Sequence, residues 1–530
     1  MSRTLSVLPS CVKKMAQQTR GVTALVVWAV IGPQPVSAQR AGAGPGPFPA
    51  ELDRYIAKVV ADGQIPGLAI AVVRNDSVLV AKGYGVRELG KPGLVDEHTI
   101  FDIASLSKSF TATAAAILVD RGKLRWDDPV RLHLKDLVLP TPGLTDSATV
   151  RDFLSHRTGL ESANTMWART AIDRAEVLRR VRYLPVAFPL RQEMLYSNVG
   201  YTVAGEAAAA AAGTSFEALL RDLIIRPLGL TRTTWSYQQS AGMPNLAVSH
   251  ATYGGRQQPV RRETQRLATA PAGAVQSSVL DLTRWMRLHL NLGVLDGKRL
   301  VSDSAMRELQ TRQTGIPTTA AMRAARLVED SAQVGYGMGW QVMDYRGHPM
   351  RWHSGNGNGQ IAYMTLLPRD RLGVVVVVNT WSVPLIHGAV VNRILDTYLG
   401  YPLRDWAGEA LARVPAVRAA EDSVAGVIAA MKTDAPPPLP LRAYAGRYDE
   451  PLYGPVLVRS GPGGLTLQMG EGELADLEYH GTAGFYVRWR DPFVRENWVS
   501  HVRFEALGDS VVSLSTRIGR DQFTAQKSRE

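Results

Sequence analysis

The chain has 530 residues, with 60 Lys and Arg against 48 Asp and Glu for a formal charge of +12, and it is 45% apolar and 20% charged. That composition excludes a disordered, collagen-like or disulfide-scaffold protein, and at roughly 150 residues per domain it leaves room for two or three domains with a large core. The densest cation groups, Arg179, Arg180 and Arg182, and Arg261, Arg262 and Arg266, each lie close to acidic residues, as solvated faces do, and they point to no nucleic-acid partner.

Residues 1–38 combine a basic stretch (Lys13, Lys14, Arg20), an apolar run GVTALVVWAVIG and the small-residue site Val36-Ser37-Ala38. This is the pattern of a cleaved export signal, and the run stops at Pro33, short of the roughly 20 residues a membrane span needs. The expectation is an exported protein, periplasmic or secreted, with no transmembrane span in its mature form. Cys11, the single cysteine, falls inside that segment, so the mature chain holds no thiol for a disulfide, a thiolate nucleophile or a zinc site.

After the Gly/Pro-rich residues 41–49, helical spacing over 52–60 predicts a helix, and 67–73 with 78–81 read as paired strands across a turn at Asn75-Asp76. The alanine-rich residues 105–121 predict a helix that ends at Asp120-Arg121-Gly122. From Asp127 to about Asp330 the pattern is of helices broken by Pro and Gly. Strand signals return at 336–342, 360–367 and 373–379. A charged, alanine-rich stretch then leads to APPPLP at 435–440, a stiff linker and the expected domain boundary. Beyond it, 456–458, 465–469, 485–489, 499–504 and 511–515 read as strands of a small antiparallel barrel or meander.

No G-x-S-x-G elbow, H-E-x-x-H zinc helix or phosphate loop is present. The chain instead carries Ser105-Leu106-Ser107-Lys108 at the start of the alanine-rich helix, where a three-residue spacing puts a hydroxyl and an amine on one face. A serine needs a base to take its proton, and a lysine serves once its pKa is lowered. By itself the motif is weak, because Ser10-Cys11-Val12-Lys13 matches it too. Tyr196-Ser197-Asn198 adds a phenol that can shuttle protons and a carboxamide that can hold both lysine and substrate. His353-Ser354-Gly355 leads into a strand whose edge carries little side-chain bulk. The three together, in this order and these contexts, are improbable by chance. The histidines form no metal-ligand spacing with Asp or Glu, so neither a metal nor another cofactor is implied.

With these motifs the chain resembles the penicillin-recognising serine hydrolases: class C β-lactamases, DD-peptidases, esterases and their β-lactamase-related kin. IPGLAIAVV at 65–73, FDIASLSKSFTA at 101–112, FLSHRTGL at 153–160, PAGAVQSSVLDLTRW at 271–285 and LLPRDRLGVVVVVN at 366–379 extend the likeness. LRAYAGRYDEPLYG at 441–454 resembles the start of a β-rich domain often appended to such proteins.

The resemblance implies an α/β (α+β) fold, an antiparallel sheet flanked by helices with a helical insertion, followed by a small C-terminal antiparallel β-barrel. Its parts are a signal at 1–38, a hydrolase domain at 48–401, a helical and Pro-rich linker at 402–440 and the barrel at 441–530. It further implies Ser105 as nucleophile, Lys108 and Tyr196 in the proton traffic, and Asn198, His353, Ser354 and Gly355 against the substrate. The oxyanion hole would be the backbone N–H groups of Ser105 and Asn356. The partner is a small-molecule or peptide substrate; the expected activity is peptidase-like, on D-amino-acid-containing or cell-wall peptides, with β-lactamase or permissive esterase as the alternative and a non-catalytic scaffold as the contrasting class. His353, where many β-lactamases have lysine, weighs toward the peptidase-like side. His156 reads as a structural histidine at a helix end and stays outside the catalytic set.

Overall fold

The computed structural model describes residues 48–168, 172–253, 256–260, 268–316, 334–381, 385–469, 472, 474–497, 499–518 and 521–528. The expected export signal with Cys11, and Arg261, Arg262 and Arg266, lie outside the described residues.

Helix α1 (Ala50–Asp62) leads into the hairpin β1 (Gly67–Arg74) and β2 (Ser77–Gly85). The rest of this sheet comes from late in the chain: β3 (Thr314–Gly315), β4 (Gly335–Tyr336), β5 (Gln341–Tyr345), β6 (His348–Gly357), β7 (Gln360–Leu367) and β8 (Leu372–Val378). The order is β2-β1-β8-β7-β6-β5-β4-β3, with antiparallel pairing throughout.

The runs GLAIAVV and LGVVVVV are apolar without alternation because both faces of the sheet centre are covered. Successive side chains point to opposite faces. Ala69, Ala71, Val73, Val375 and Val377 therefore join the core made with α2 (Ser107–Asp120) and the amphipathic α4 (Val279–Leu290). Leu68, Ile70, Val72, Val374, Val376 and Val378 pack with α1, α5 (Ile386–Leu399) and α6 (Trp406–Leu411) on the other side. The intervening chain forms a mostly helical wall that includes α3 (Asn198–Ala212), together with small hairpins such as His250–Tyr253 with Arg256–Pro259.

Two local readings are corrected. Residues 336–342 do not form one strand: the Gly337 N–H donates to the Trp340 carbonyl (2.8 Å), and Gly339 takes a φ of +80°, so a tight turn separates β4 from β5. Ser105 is not in the first turn of the alanine-rich helix but in a 3₁₀ turn, Ala104–Leu106, that precedes it.

Helices α6 and α7 (Val414–Ala430) lead to the second sheet, an eight-stranded closed barrel. Its strands are β9 (Gly446–Asp449), β10 (Val456–Gly461), β11 (Gly464–Met469), β12 (Leu474–Tyr479), β13 (Phe485–Trp489), β14 (Ser500–Leu507), β15 (Ser510–Ile518) and β16 (Asp521–Lys527). Closure comes from β9 pairing with β16, which leaves no free sheet edge. In β13 burial alternates, with Phe485, Val487 and Trp489 filling the interior. The five segments expected from sequence are all strands; β9, β12, β16 and the helix Pro492–Asn497 are additional.

Candidate active site

The 3₁₀ turn that carries Ser105 is held in a backbone conformation that a free chain avoids. Ala104 has a φ of +41°, in the left-handed region that costs a residue with a Cβ. Asp102 stabilises it: Oδ1 accepts the Ala104 N–H (2.8 Å), and Oδ2 accepts the Tyr237 hydroxyl (2.5 Å). The Asp102 N–H in turn donates to Gln360 Oε1 (2.8 Å), which ties the turn to the sheet.

Helix α2 runs from this turn through the core, and from Ser107 to Leu118 every residue is buried. Such a helix is apolar or small all round because it has no solvent face. Phe110 stacks on Trp285 with centroids 3.9 Å apart, and the Thr111 hydroxyl donates to the Pro271 carbonyl (2.6 Å). The helix is thereby docked on the Pro271-Ala272-Gly273 segment.

Lys108 is 0% exposed, yet no carboxylate among the described residues pairs with it. Its Nζ lies 3.1 Å from Ser105 Oγ, 2.7 Å from Asn198 Oδ1 and 2.9 Å from the Ala272 carbonyl oxygen. Burial alone holds its pKa well below the ordinary lysine value. In the neutral amine the two carbonyl oxygens can only accept, so they take both N–H groups. The lone pair is then left to face the Ser105 hydroxyl. The rings of Tyr196 and Tyr201, with centroids 4.7 and 5.4 Å from Nζ, complete an aromatic wall around the amine.

Tyr196 and Asn198 flank the start of α3, which Ser197 caps by accepting the Gly200 N–H (3.0 Å). Burial pushes the Tyr196 pKa up, with the nearby Ser105 hydroxyl acting against that rise, so the phenol is protonated at neutral pH. Asn198 bridges two elements: its Oδ1 accepts from Lys108, and its Nδ2 donates to Asn164 Oδ1 (3.3 Å).

The sequence-derived set leaves out His156, which the fold brings into the cluster. Its ring lies 4.3 Å from that of Tyr196, and Nδ1 accepts the Ser197 N–H (3.1 Å), fixing the backbone between Tyr196 and Asn198. Burial and the nearby Lys108 keep its pKa well below the histidine norm. It acts here as a neutral support. Asn164 and the Ala272 carbonyl are likewise absent from that set. Only the conspicuous PAGAVQSS stretch hinted at the latter.

The opposite wall is the end of β6. Strand β5 pairs with β6 only as far as Gln341 opposite Trp352, whereas β7 pairs with it through Gly357. Residues 353–357 therefore have one edge without a strand partner among the described strands. Gly355 fits against the nucleophile turn: a Cβ there would stand 1.9 Å from the Ile103 carbonyl oxygen and 3.0 Å from the Ser105 nitrogen. Asn356 is exposed, with its backbone next in line on the same strand.

His353, counted with the substrate-binding residues from sequence, is turned inward and is 2% exposed. Its Nε2 is 2.9 Å from the Tyr336 hydroxyl and its Nδ1 is 2.6 Å from the Ser354 carbonyl oxygen. Burial, reinforced by Lys108, pushes its pKa down to about 3, so the ring is neutral and both nitrogens are engaged. Ser354 and Gly355 thus bring backbone to the cleft, whereas His353 builds its wall. Among the described residues no cluster of three or more His, Asp or Glu is placed to hold a metal ion.

The fold and this geometry agree with what the chain is similar to. The Beta-lactamase family model matches residues 52–390, and a domain of unknown function (DUF3471) matches residues 430–528. A protein named unguisins hydrolase from Aspergillus violaceofuscus is 29% identical over 438 residues, covering 77% of this chain and 76% of the relative. Penicillin-binding protein 4 of Amycolatopsis lactamdurans is 28% identical over 326 residues, covering 60% and 81%. The octameric penicillin-binding protein homologue from Pyrococcus abyssi superposes with a TM-score of 0.59 at 20% identity, covering 90% of this chain and 98% of that one. With the family model matching well over half of its length, this chain belongs to the Beta-lactamase family.

Proposed function

We propose that the protein is an exported serine hydrolase that works through an acyl-enzyme at Ser105 on amide or ester bonds. Its substrates on this reading are peptides, D-amino-acid-containing or cell-wall-derived. The observation that carries the reading is the fully buried Lys108 amine, which has no carboxylate partner among the described residues and sits 3.1 Å from Ser105 Oγ while the Asn198 and Ala272 carbonyl oxygens accept from it. Burying a basic group without a counter-ion costs stability, and an amine poised against a hydroxyl is the chemical return on that cost.

The contacts support the following steps. Lys108 takes the Ser105 proton as Oγ bonds to the substrate carbonyl carbon, and the N–H groups of Ser105 and Asn356 hold the oxyanion. As the intermediate collapses, the bond to the leaving group breaks. The Tyr196 phenol protonates the leaving nitrogen or oxygen and is reprotonated by Lys108. Water then adds to the ester carbonyl and gives up its proton to Lys108. The C–O bond to Ser105 then breaks, releasing the acid, and Lys108 gives its proton back to Oγ, which restores the hydroxyl and the neutral amine.

The unpartnered edge of β6 supports a peptide reading, because an extended chain can pair with it through its backbone. A dedicated β-lactamase is the second reading, and the neutral His353 weighs against it by offering no cation to a substrate carboxylate. The test is incubation with a D-amino-acid p-nitroanilide, a p-nitrophenyl ester and a chromogenic cephalosporin, each beside Ser105→Ala, with intact mass to detect the acyl-enzyme. Ser105-dependent amide turnover is expected. Ester turnover alone makes the protein a permissive esterase, rapid cephalosporin loss a β-lactamase, and silence on all three a scaffold.

A further inference from the structure

The barrel meets the hydrolase part on both walls of the cleft. On the sheet side, Phe493 of the helix Pro492–Asn497 lies 5.2 Å, ring to ring, from Trp381 and clusters with Ala251 and Val260. On the helical side, Arg180 donates to the Leu452 carbonyl (3.2 Å), and Asp521, the first residue of β16, reaches the turn Asn164–Met166. There Asp521 Oδ2 accepts the Thr165 backbone N–H (2.5 Å), and the Thr165 hydroxyl lies 3.5 Å from the Ile518 carbonyl oxygen.

Asp521 is 5% exposed, and among the described residues no cation is paired with it. Burial raises its pKa, and the Thr165 contacts act against that rise. A carboxyl group buried at such a junction and spent on a backbone amide needs a reason beyond docking, for which apolar contacts suffice. Following the contacts inward supplies one. Thr165 is joined to Asn164, whose Oδ1 accepts from Asn198, and Asn198 accepts from Lys108, which lies against Ser105. Ala163, which enters the same turn, has a φ of +40°, so the turn holds this form only under outside constraint.

We infer that Asp521 of the C-terminal barrel is a positioning residue for the nucleophile: by fixing the Thr165 amide it sets Asn164, and through Asn164 it sets the Asn198 carboxamide that orients Lys108. The inference rests on the proposed role of Ser105, and the readout is the second-order rate at which a fluorophosphonate labels Ser105 in the full chain.

Asp521→Ala is expected to slow labelling about tenfold, whereas Asp521→Asn, whose carboxamide oxygen can still accept the Thr165 N–H, stays within about twofold of the parent. Asn164→Ala is expected to give a similar loss, and the double variant Asp521→Ala with Asn164→Ala to lose no more than either alone, because both act through one chain of contacts. Phe493→Ala, which loosens the barrel elsewhere, is expected to multiply with Asn164→Ala instead.

Folded Asp521→Ala labelled at the parent rate overturns the inference, as does an Asp521→Asn as slow as Asp521→Ala, or a multiplicative double variant. If Asp521→Ala does not fold, hydrogen exchange on the parent and Asp521→Asn decides: a protected Thr165 amide in both supports the inference, and a freely exchanging one overturns it. Absence of Ser105-dependent labelling in the parent removes the proposed function and this inference with it; normal parent labelling with an inert Asp521 removes only the inference.

Discussion

Two buried ionisable groups, about forty residues apart in the chain, are treated in opposite ways. Asp152 is 0% exposed and fully compensated: Arg157 Nε donates to Oδ1 (2.6 Å), Arg191 Nη2 to Oδ2 (2.9 Å), and Thr149 closes a capping box on it. Burial pushes its pKa up, but these donors outweigh burial and leave it below the ordinary carboxylate value. Lys108 is equally buried, and among the described residues it meets no anion, only carbonyl oxygens, a hydroxyl and aromatic faces. The first arrangement keeps a charge for structure. The second holds the amine's pKa well below the ordinary lysine value, which favours its uncharged, basic form.

The contrast yields graded predictions. The largest effect is on catalysis: Ser105→Ala is expected to lower turnover by at least about 10⁴-fold with unchanged thermal unfolding, since it deletes the nucleophile and little packing. Tyr196→Phe keeps the ring and removes the proton relay, so turnover is expected to fall roughly 10²-fold with the acyl-enzyme still detectable by mass.

Stability then separates the two buried groups. Asp152→Asn takes the counter-charge from the part-buried Arg157, while the half-exposed Arg191 turns to solvent, and is expected to cost about 2 kcal/mol in a denaturant titration, whereas Lys108→Met is expected to change stability at pH 7 by less than about 1 kcal/mol. Relief from burying an amine offsets the two acceptors that Lys108→Met leaves unpaired.

The pH dependences also have opposite origins. The folded-state pKa of Asp152 is depressed, so its contribution is present above the unfolded carboxylate value and is lost as pH falls through the folded one. Lys108 is depressed too, but as a base. Between its folded value and 10.5 the unfolded chain binds the extra proton, so stability rises with pH across that window. Unfolding free energy measured against pH is expected to show this rise in the parent and to lose it in Lys108→Met.

Much of the candidate site was legible because it is carried by side chains in short motifs. Ser105, Lys108, Tyr196, Asn198 and the 353–356 strand do converge. What was not legible acts through the backbone or through contacts far apart in sequence. Ala272 contributes a carbonyl that any residue would supply, Asn164 a turn shaped by Ala163 and Thr165, and Asp521 an acceptor from the far end of the chain. His156 was read as structural from its helix-end position, and the fold keeps it structural in chemistry while placing its ring against Tyr196.

The same division holds for the fold. Runs such as GVVVVV announce strands covered on both faces, and 485–489 alternates as a barrel strand should. Strand β9 is short, β12 interleaves charged residues, and in β16 Phe523 and Ala525 are the only apolar residues, so composition marks them weakly. Their strand state comes from barrel closure. Ser105 in a 3₁₀ turn was beyond helix propensity because its geometry is imposed by Asp102 and Gln360 from outside the segment.

The central claim, that a neutral Lys108 activates Ser105, is tested most directly by the rate of fluorophosphonate labelling at Ser105 as a function of pH, in the parent and in Lys108→Met. The account predicts that the parent rate rises through an ionisation well below 10.5 and then levels, and that Lys108→Met is slow with that ionisation gone. A parent rate that climbs only toward pH 10.5, or a Lys108→Met profile that overlays the parent, would contradict it.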